Sequence, residues 1–334
     1  MATVSPTDTN ARPRVLLTRR IPSSPLSTLE AGCELDLYDG PTPLTKDILR
    51  ERLQGMHGIV SVLSDPISKE VLEAATDLKV VANIAVGYDN IDVAAARARG
   101  IVVTNTPDVL TEATAELTWA LILAVTRRIG EGERLVRRGA WKGWALDFML
   151  GMELRGKQLG IIGRGRIGRA VAARASVFGM TPVFWRGTLN RDSHQRGGQS
   201  TLNVPEVSLD ELLIGSDVIS IHTPLRPETH HLIDRKAFAR MKRSAYLVNV
   251  ARGPVVDEEA LAWALKEHLI SGAALDVYEK EPEVFPALLE LENVVLAPHL
   301  GSATRETRTA MADLAVRNAL AVLNGQAPLT PVQS

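Results

Sequence analysis

Short apolar runs recur along the chain, with room for one helix between each pair. In the first third, "RVLLT" (14–18), "GIVSVL" (58–63), "LKVVANI" (78–84) and "GIVVTN" (100–105) have the unbroken apolar character of buried strands. Helical spacing falls between them, near 45–54, 68–75 and 92–98. Strands separated by single helices predict a parallel sheet with right-handed crossovers. From Thr111 to about Arg138 the pattern becomes one long helical stretch. The Asp108–Thr111 region can cap its start, and Gly130 and Gly132 are the expected points of bending or termination. A second alternation follows, with strands at "QLGIIG" (158–163), "TPVFW" (181–185), "DVISIH" (217–222), "AYLVNV" (245–250), "GAALDV" (272–277) and "NVVLAP" (293–298). A last helical stretch, 302–325, comes after the final strand and can return the chain to the first domain. The pattern predicts an α/β protein with two parallel-sheet domains.

One segment breaks the alternation. "GAWKGWALDFMLG" carries Trp141 and Trp144 and is too irregular for a core element. It reads as a contact surface for a second subunit or as a pocket wall, with an arm packed on its own domain as the alternative.

Composition narrows the class. A chain of 334 residues holds two domains, and a formal net charge of -1 without a long basic run argues against nucleic acid or an acidic membrane surface as partner. The single cysteine, Cys33, allows neither an intrachain disulfide nor a cysteine metal cluster. The longest strongly apolar run, "LTWALILAV" (117–125), is about half the ~20 residues a bilayer crossing needs. The opening "MATVSPTDTNARP" has no apolar core of a secretory signal and reads as a loose tail. A cytoplasmic protein is the expectation.

"LGIIGRGRIGRAVAARASVFGM" has the order strand, glycine turn, helix, with Gly163, Gly165 and Gly168 in GxGxxG spacing. Gly163 permits the tight turn, Gly165 lets backbone approach a pyrophosphate, and Gly168 lets the helix pack close to the strand. The helix start offers N–H groups to phosphate. An NAD-binding unit usually has an acid at the end of its second strand, whereas this chain reads "VFWRGTLNR". Arg186 stands near that position and Arg191 a little beyond. Arginine favours a ribose 2′-phosphate, so NADP(H) is the preferred cofactor. The alternative is that Arg186 stacks on adenine while the pocket accepts NAD(H).

Three strand ends further on supply ionisable groups. Arg252 follows "AYLVNV", between the small residues Ala251 and Gly253. "ALDVYEKEP" supplies Asp276, Glu279 and Glu281, and "LAPHLGSAT" supplies His299. In an open parallel sheet these ends share one ligand-binding edge. A 2-oxo acid needs a cation for its carboxylate and a proton donor for its carbonyl, roles that suit Arg252 and His299. A carboxylate on the other ring nitrogen would fix the tautomer; spacing does not separate Glu281 from Glu279, and Glu281 is preferred. His57, His194, His230, His231 and His268 read as structural or solvated, and His222 as a wall of the cofactor crevice. No HExxH pair occurs and hydride transfer needs no metal, so no metal is expected.

These residues carry a likeness. The chain resembles the D-isomer-specific 2-hydroxyacid dehydrogenases, and most of all their glyoxylate/hydroxypyruvate reductase branch, from about residue 13 to 325. The marks are "VGYDNID" (86–92), "NTPDVLTEATAE" (105–116), "GRGRIG" (163–168), "HTPLRPETHHLI" (222–233), "NVARGPVVDEEAL" (249–261), "ALDVYEKEP" (274–282) and "PHLGSAT" (298–304). The resemblance implies Arg252, Glu281 and His299 as the catalytic set, and Val86 and Gly87 as backbone that binds the substrate carboxylate. It implies cofactor contacts at Arg166, Ile167, Thr223, Pro224 and Ala251, with Asp276 near the nicotinamide carboxamide. Either Trp141 or Trp144 is expected to reach the pocket of a neighbouring subunit.

The implied fold is a pair of Rossmann-like domains with a crevice between them. The substrate-binding, flavodoxin-like domain spans 1–106 and 300–334, closed by the C-terminal helix. The dinucleotide domain spans 107–299, with a dimerisation arm at about 111–152. The implied activity is NADPH-dependent reduction of glyoxylate and hydroxypyruvate by a homodimer; an NAD(H)-linked enzyme for a larger D-2-hydroxy acid and a non-catalytic dinucleotide sensor are the alternatives. The chain stops near 334, without the extra C-terminal domain of many phosphoglycerate dehydrogenases. Val86 stands where phosphite-oxidising relatives have lysine, and Arg186 where lactate-type members keep an acid.

Overall fold

The computed structural model describes residues 12–187 and 203–333, so Arg191 and His194 lie outside the described residues. The chain begins with β1 (Arg14–Leu17), α1 (Ser23–Gly32), β2 (Glu34–Leu37), α2 (Lys46–Arg52), β3 (Gly58–Ser61) and α3 (Lys69–Ala74). It continues through β4 (Val80–Asn83), α4 (Val93–Ala98), β5 (Val102–Thr104), α5 (Thr111–Thr126) and α6 (Ile129–Arg137). Then come β6 (Gln158–Ile162), α7 (Arg166–Ala175), β7 (Thr181–Trp185), β8 (Glu206–Val207), α8 (Leu209–Gly215) and β9 (Val218–Ile221). The last elements are α9 (Arg235–Arg240), β10 (Tyr246–Asn249), α10 (Glu258–Lys266), β11 (Gly272–Leu275), α11 (Pro286–Leu289), β12 (Val294–Leu296) and α12 (Arg305–Leu323).

Two units result. One takes in the chain up to Leu110 and again from Thr304; the other is Thr111–Ala303. The boundaries fall a few residues beyond 106/107 and 299/300 because the helices themselves begin there: α5 starts at Thr111, and Thr304 caps α12 by accepting from Thr307 N–H at 3.1 Å.

The first unit holds a five-stranded sheet in the order β2-β1-β3-β4-β5, parallel throughout. Helices α1 and α12 supply one apolar layer against it, and α2, α3 and α4 the other. The second unit holds a seven-stranded parallel sheet, β12-β11-β10-β9-β6-β7-β8. Helices α5 and α7 pack on one face and α8, α9 and α10 on the other. Strands β3, β4, β9, β10 and β11 are buried at every position, as parallel strands covered on both faces require. In the second sheet the winding reverses between β6 and β9, and ligands collect beyond the carboxyl ends of strands at such a reversal.

The pattern of apolar residues missed α1, β2 and β8. Strand β2, "ELDL", sits at a sheet edge with no position fully buried, and β8 is an edge strand of two residues, so neither leaves an apolar run. The long helix from Thr111 to Arg138 is corrected to two helices. The break comes at Arg127–Arg128, with Arg128 at φ 54°, and Gly130 and Gly132 both lie inside α6. The cause is tertiary: the returning chain places Met152 N–H on the Thr126 carbonyl at 2.8 Å. Gly151 comes so close that a Cβ there would stand 2.4 Å from the same oxygen. Within 111–152, α5 is a core helix, its Trp119 indole donating to Val171 O at 3.2 Å. From Gly139 to Lys157 no helix or strand forms, and Trp141, Trp144, Leu146 and Leu150 are exposed there.

Candidate active site

Every sequence-predicted residue of the second unit except the tryptophans follows the carboxyl end of a strand in one parallel sheet, or opens the helix after it. The glycine turn leaves β6 at Gly163, whose φ of 108° suits glycine alone. A Cβ there would meet the His222 carbonyl carbon at 2.5 Å and Thr223 N at 2.7 Å. A Cβ on Gly168 would meet Gly163 O at 1.9 Å, so these two glycines are demanded by backbone packing. Gly165 differs: it is the N-cap of α7, and a Cβ on it would find nothing within 4 Å. The helix start therefore faces open space, with the exposed Arg166 and partly buried Ile167 on its first turn. That combination fits a dinucleotide pyrophosphate, held by backbone and the positive end of the helix. Thr223 and Pro224 continue from β9 beside this turn, and Ala251 from β10.

Arg186 follows β7, exposed, its N–H donating to Val207 O at 2.8 Å. Beside it stands a pair that sequence reasoning did not find, Arg164 with Glu206 of β8. Burial first, then the positive charge of Arg169, holds the Arg164 guanidinium below its ordinary value. The signal for Arg164 was present in the glycine turn itself; Glu206 follows a stretch with no apolar pattern.

The stretch around β10, β11 and β12 is built differently. At the end of β10, Asn249 is buried and grips the turn that follows, donating to Arg252 O at 2.9 Å and accepting from Ala251 N–H at 3.1 Å. Arg252 is partly buried, one guanidinium nitrogen on Ala251 O at 2.7 Å. After β11, the buried Asp276 accepts Leu300 N–H at 2.6 Å and Gly301 N–H at 2.8 Å, while its own carbonyl accepts His299 N–H at 3.0 Å. These bonds hold His299 at φ 53°, a left-handed conformation rare for a residue with a side chain. Burial pushes the Asp276 carboxyl up, against the pull of those N–H groups and His299.

His299 Nδ1 lies 2.8 Å from Glu281 Oε2, which leaves Nε2 as the nitrogen able to face a substrate. Glu281 Oε1 accepts Tyr278 N–H at 3.1 Å. Burial alone would raise the Glu281 carboxyl, but the His299 bond and charge, the Tyr278 N–H and Arg252 hold it below the ordinary range. Glu279 turns elsewhere, to Glu258 N–H at 2.9 Å and to His231 at 3.2 Å. His222, after β9, pairs with Ser220 Oγ at 2.8 Å, and burial pushes its imidazole down to about 3. Its Nδ1 is sealed from solvent without a hydrogen-bond partner.

In the first unit, Val86 and Gly87 follow β4. Asn105 donates to Val86 O at 2.8 Å and Asn83 to Gly87 O at 2.9 Å, so two asparagines given no role in the sequence reading hold those peptides. Trp141 and Trp144 are 56% and 80% exposed, and the Trp141 indole N–H turns back on Gly143 O at 2.9 Å. Among the described residues no group of three or more His, Cys, Asp and Glu is placed to hold a metal, and no helix is long and apolar enough to cross a membrane.

A parallel doubly wound sheet, a glycine turn open at the helix start, and a histidine–carboxylate pair beside an arginine define a nicotinamide-dependent dehydrogenase. Comparison with known proteins gives the family. The model for the D-isomer specific 2-hydroxyacid dehydrogenase NAD binding domain matches residues 119–301. The glyoxylate reductase of Korarchaeum cryptofilum is 49% identical over 320 residues, covering 95% of each chain. That of Thermococcus litoralis is 46% identical over 321 residues, covering 95% of this chain and 96% of its own. The crystal structure of an NADPH-dependent glyoxylate/hydroxypyruvate reductase from Sinorhizobium meliloti, in complex with NADP and malonate, superposes with a TM-score of 0.83. It is 34% identical and covers 96% of this chain and 97% of its own. The chain belongs to the D-isomer-specific 2-hydroxyacid dehydrogenases. It is an oxidoreductase of the glyoxylate reductase type that uses a nicotinamide dinucleotide.

Proposed function

We propose that the protein reduces glyoxylate to glycolate and hydroxypyruvate to D-glycerate with NADPH. The observation that carries this reading is the His299–Glu281 pair, 2.8 Å apart, with Arg252 close enough to help hold Glu281 ionised. The bound dinucleotide supplies the hydride. Arg252 holds the substrate carboxylate and the oxygen next to it through its planar donor fork. The peptide groups of Val86 and Gly87 are assigned to the same carboxylate. His299, protonated, gives its Nε2 proton to the carbonyl oxygen as the carbonyl carbon is reduced, and the imidazole recovers a proton from solvent. Glu281 keeps the ring oriented and steadies its positive charge. Gly163, Gly165, Arg166, Ile167, Gly168, Thr223, Pro224 and Ala251 are assigned to the dinucleotide, with Asp276 at its nicotinamide end and Arg186 at its 2′-phosphate.

The exposed Trp141, Trp144, Leu146 and Leu150 favour a homodimer, in which such apolar area is covered. The single buried Cys33, whose thiol burial pushes up to about 11, is compatible with a reducing cytoplasm.

Initial rates with NADPH or NADH against glyoxylate, hydroxypyruvate, pyruvate and a bulky 2-oxo acid test the reading. The expected outcome is the highest kcat/KM with NADPH and the two small acids. Arg186→Gln should then reduce the NADPH-to-NADH ratio by about tenfold or more, the worth of one charge-assisted hydrogen bond. Rapid NADH turnover of the bulky acid, with no effect of Arg186→Gln, would sink the cofactor and substrate assignments.

A further inference from the structure

Glu258 is a carboxylate only 6% exposed in the first turn of α10, whereas its neighbour Glu259 is exposed in the ordinary way of an acid at a helix start. Glu258 Oε1 accepts Glu279 N–H at 2.9 Å, and Glu279 Oε1 accepts Glu258 N–H at 2.9 Å. The two residues thus form a reciprocal clasp between α10 and the loop after β11. That loop carries the working carboxylate: Tyr278 N–H donates to one oxygen of Glu281, and the other oxygen meets His299. The turn of Arg252 presses close on the next peptide, Tyr278–Glu279. A Cβ on Gly253 would lie 1.9 Å from the Tyr278 carbonyl carbon and 2.3 Å from Glu279 N. The Tyr278–Glu279 peptide is therefore a shared wall, with the arginine turn on one face and the Glu281–His299 pair built on its continuation.

Burial, followed by the repulsion of Glu279 and Glu281, pushes the Glu258 carboxyl up, partly offset by the N–H groups it accepts. A buried acid among acids is costly, and a helix cap is already provided by Asp257, which accepts Ala260 N–H at 2.9 Å. We propose that Glu258 is a positioning residue: by clasping the peptide of Glu279 it holds Glu281, and through Glu281 the His299 ring, in register with Arg252. The proposal rests on the roles given above to Arg252, Glu281 and His299. His231 stacks on His230 at 4.1 Å, and its Nε2 lies 3.2 Å from Glu279 Oε1.

The test uses the full chain with glyoxylate and NADPH, and five variants: Glu258→Met, Glu258→Gln, Glu258→Asp, Glu281→Gln, and the double variant of Glu258→Met with Glu281→Gln. Methionine keeps the volume and removes the acceptor; glutamine keeps an oxygen for Glu279 N–H. Glu258→Met should lose kcat by about ten- to a hundredfold, the cost of misplacing a catalytic group by about an ångström, while cofactor affinity from fluorescence stays near wild type. Glu258→Gln should recover most of that loss. In the double variant the loss should be close to that of Glu281→Gln alone, because Glu258 acts through Glu281. Glu258→Asp, which keeps the charge but shortens the reach, should lose kcat in the same direction and serves should the methionine variant not fold. Wild-type kcat in Glu258→Met overturns the proposal, as do equal losses for methionine and glutamine with independent effects in the double variant. If Glu281→Gln itself keeps wild-type kcat, the assigned acid–base pair is what fails, and the positioning role falls with it.

Discussion

The two stretches of the second unit's ligand-binding edge are built from different materials. Around β6 and β9 the site is bare backbone: two glycines are jammed against carbonyl groups and a third opens the start of α7 to space. Around β10, β11 and β12 it is made of buried polar side chains that grip backbone, with Asn249 on the Arg252 turn, Asp276 on the His299 loop and Glu258 on the Glu279 peptide. On the proposed roles, the difference follows from what each stretch would do. A pyrophosphate brings its own charge and can be met by peptide N–H groups and a helix end, so room is the scarce quantity. A proton donor must present one ring nitrogen in one direction, which takes a fixed carboxylate on the other nitrogen.

The contrast is broken most strongly at His299. His299→Ala should lower kcat by about 10²–10⁴-fold, the usual worth of a positioned general acid, while NADPH binding measured by fluorescence remains. Loss of both together would mean that the histidine loop also builds the nucleotide site.

A smaller effect separates the two kinds of glycine. Gly168→Ala gains about 1 kcal/mol of helix propensity but drives a methyl group toward Gly163 O, which a Cβ would approach to 1.9 Å. Overpacking of this kind costs about 1–3 kcal/mol, so the denaturant midpoint should fall and cofactor affinity with it. Gly165→Ala has backbone angles that alanine accepts and open space ahead, so it should cost no more than the roughly 0.5–1 kcal/mol of a weaker N-cap while NADPH binding weakens. Equal behaviour of the two variants would remove the distinction drawn here.

A third effect is read against pH, at His222. Burial lowers its imidazole from 6.5 to about 3, so the unfolded chain binds a proton in that window and the folded chain does not. Folding stability should therefore fall as pH drops below 6.5, by up to about 1.4 kcal/mol per pH unit from this residue, until about 3. His222→Gln should flatten the slope of the denaturant midpoint against pH in that range. An unchanged slope would mean that His222 is not held neutral.

Legibility in the sequence followed local chemistry. The buried parallel strands β3, β4, β9, β10 and β11 were visible because helices on both faces demand unbroken apolar runs. The edge strands β2 and β8 were not, because an edge leaves residues partly exposed and imposes no such run. Glycine spacing announced the turn after β6, since its need for positive φ and close approach is written in single residues. The break at Arg128 escaped notice because a carbonyl met from 26 residues away, Thr126 O by Met152 N–H, decides it rather than either nearby glycine.

By itself, then, the order of residues determined two parallel α/β sheets, a glycine turn for a dinucleotide and an arginine and a histidine at strand ends. Residue spacing alone left Glu281 and Glu279 open as partners of His299, and the tertiary structure separates them: Tyr278 N–H holds the Glu281 carboxylate, and Glu258 N–H holds that of Glu279. Two acids two positions apart are equivalent in spacing. They become different only when distant backbone and buried charges surround each one.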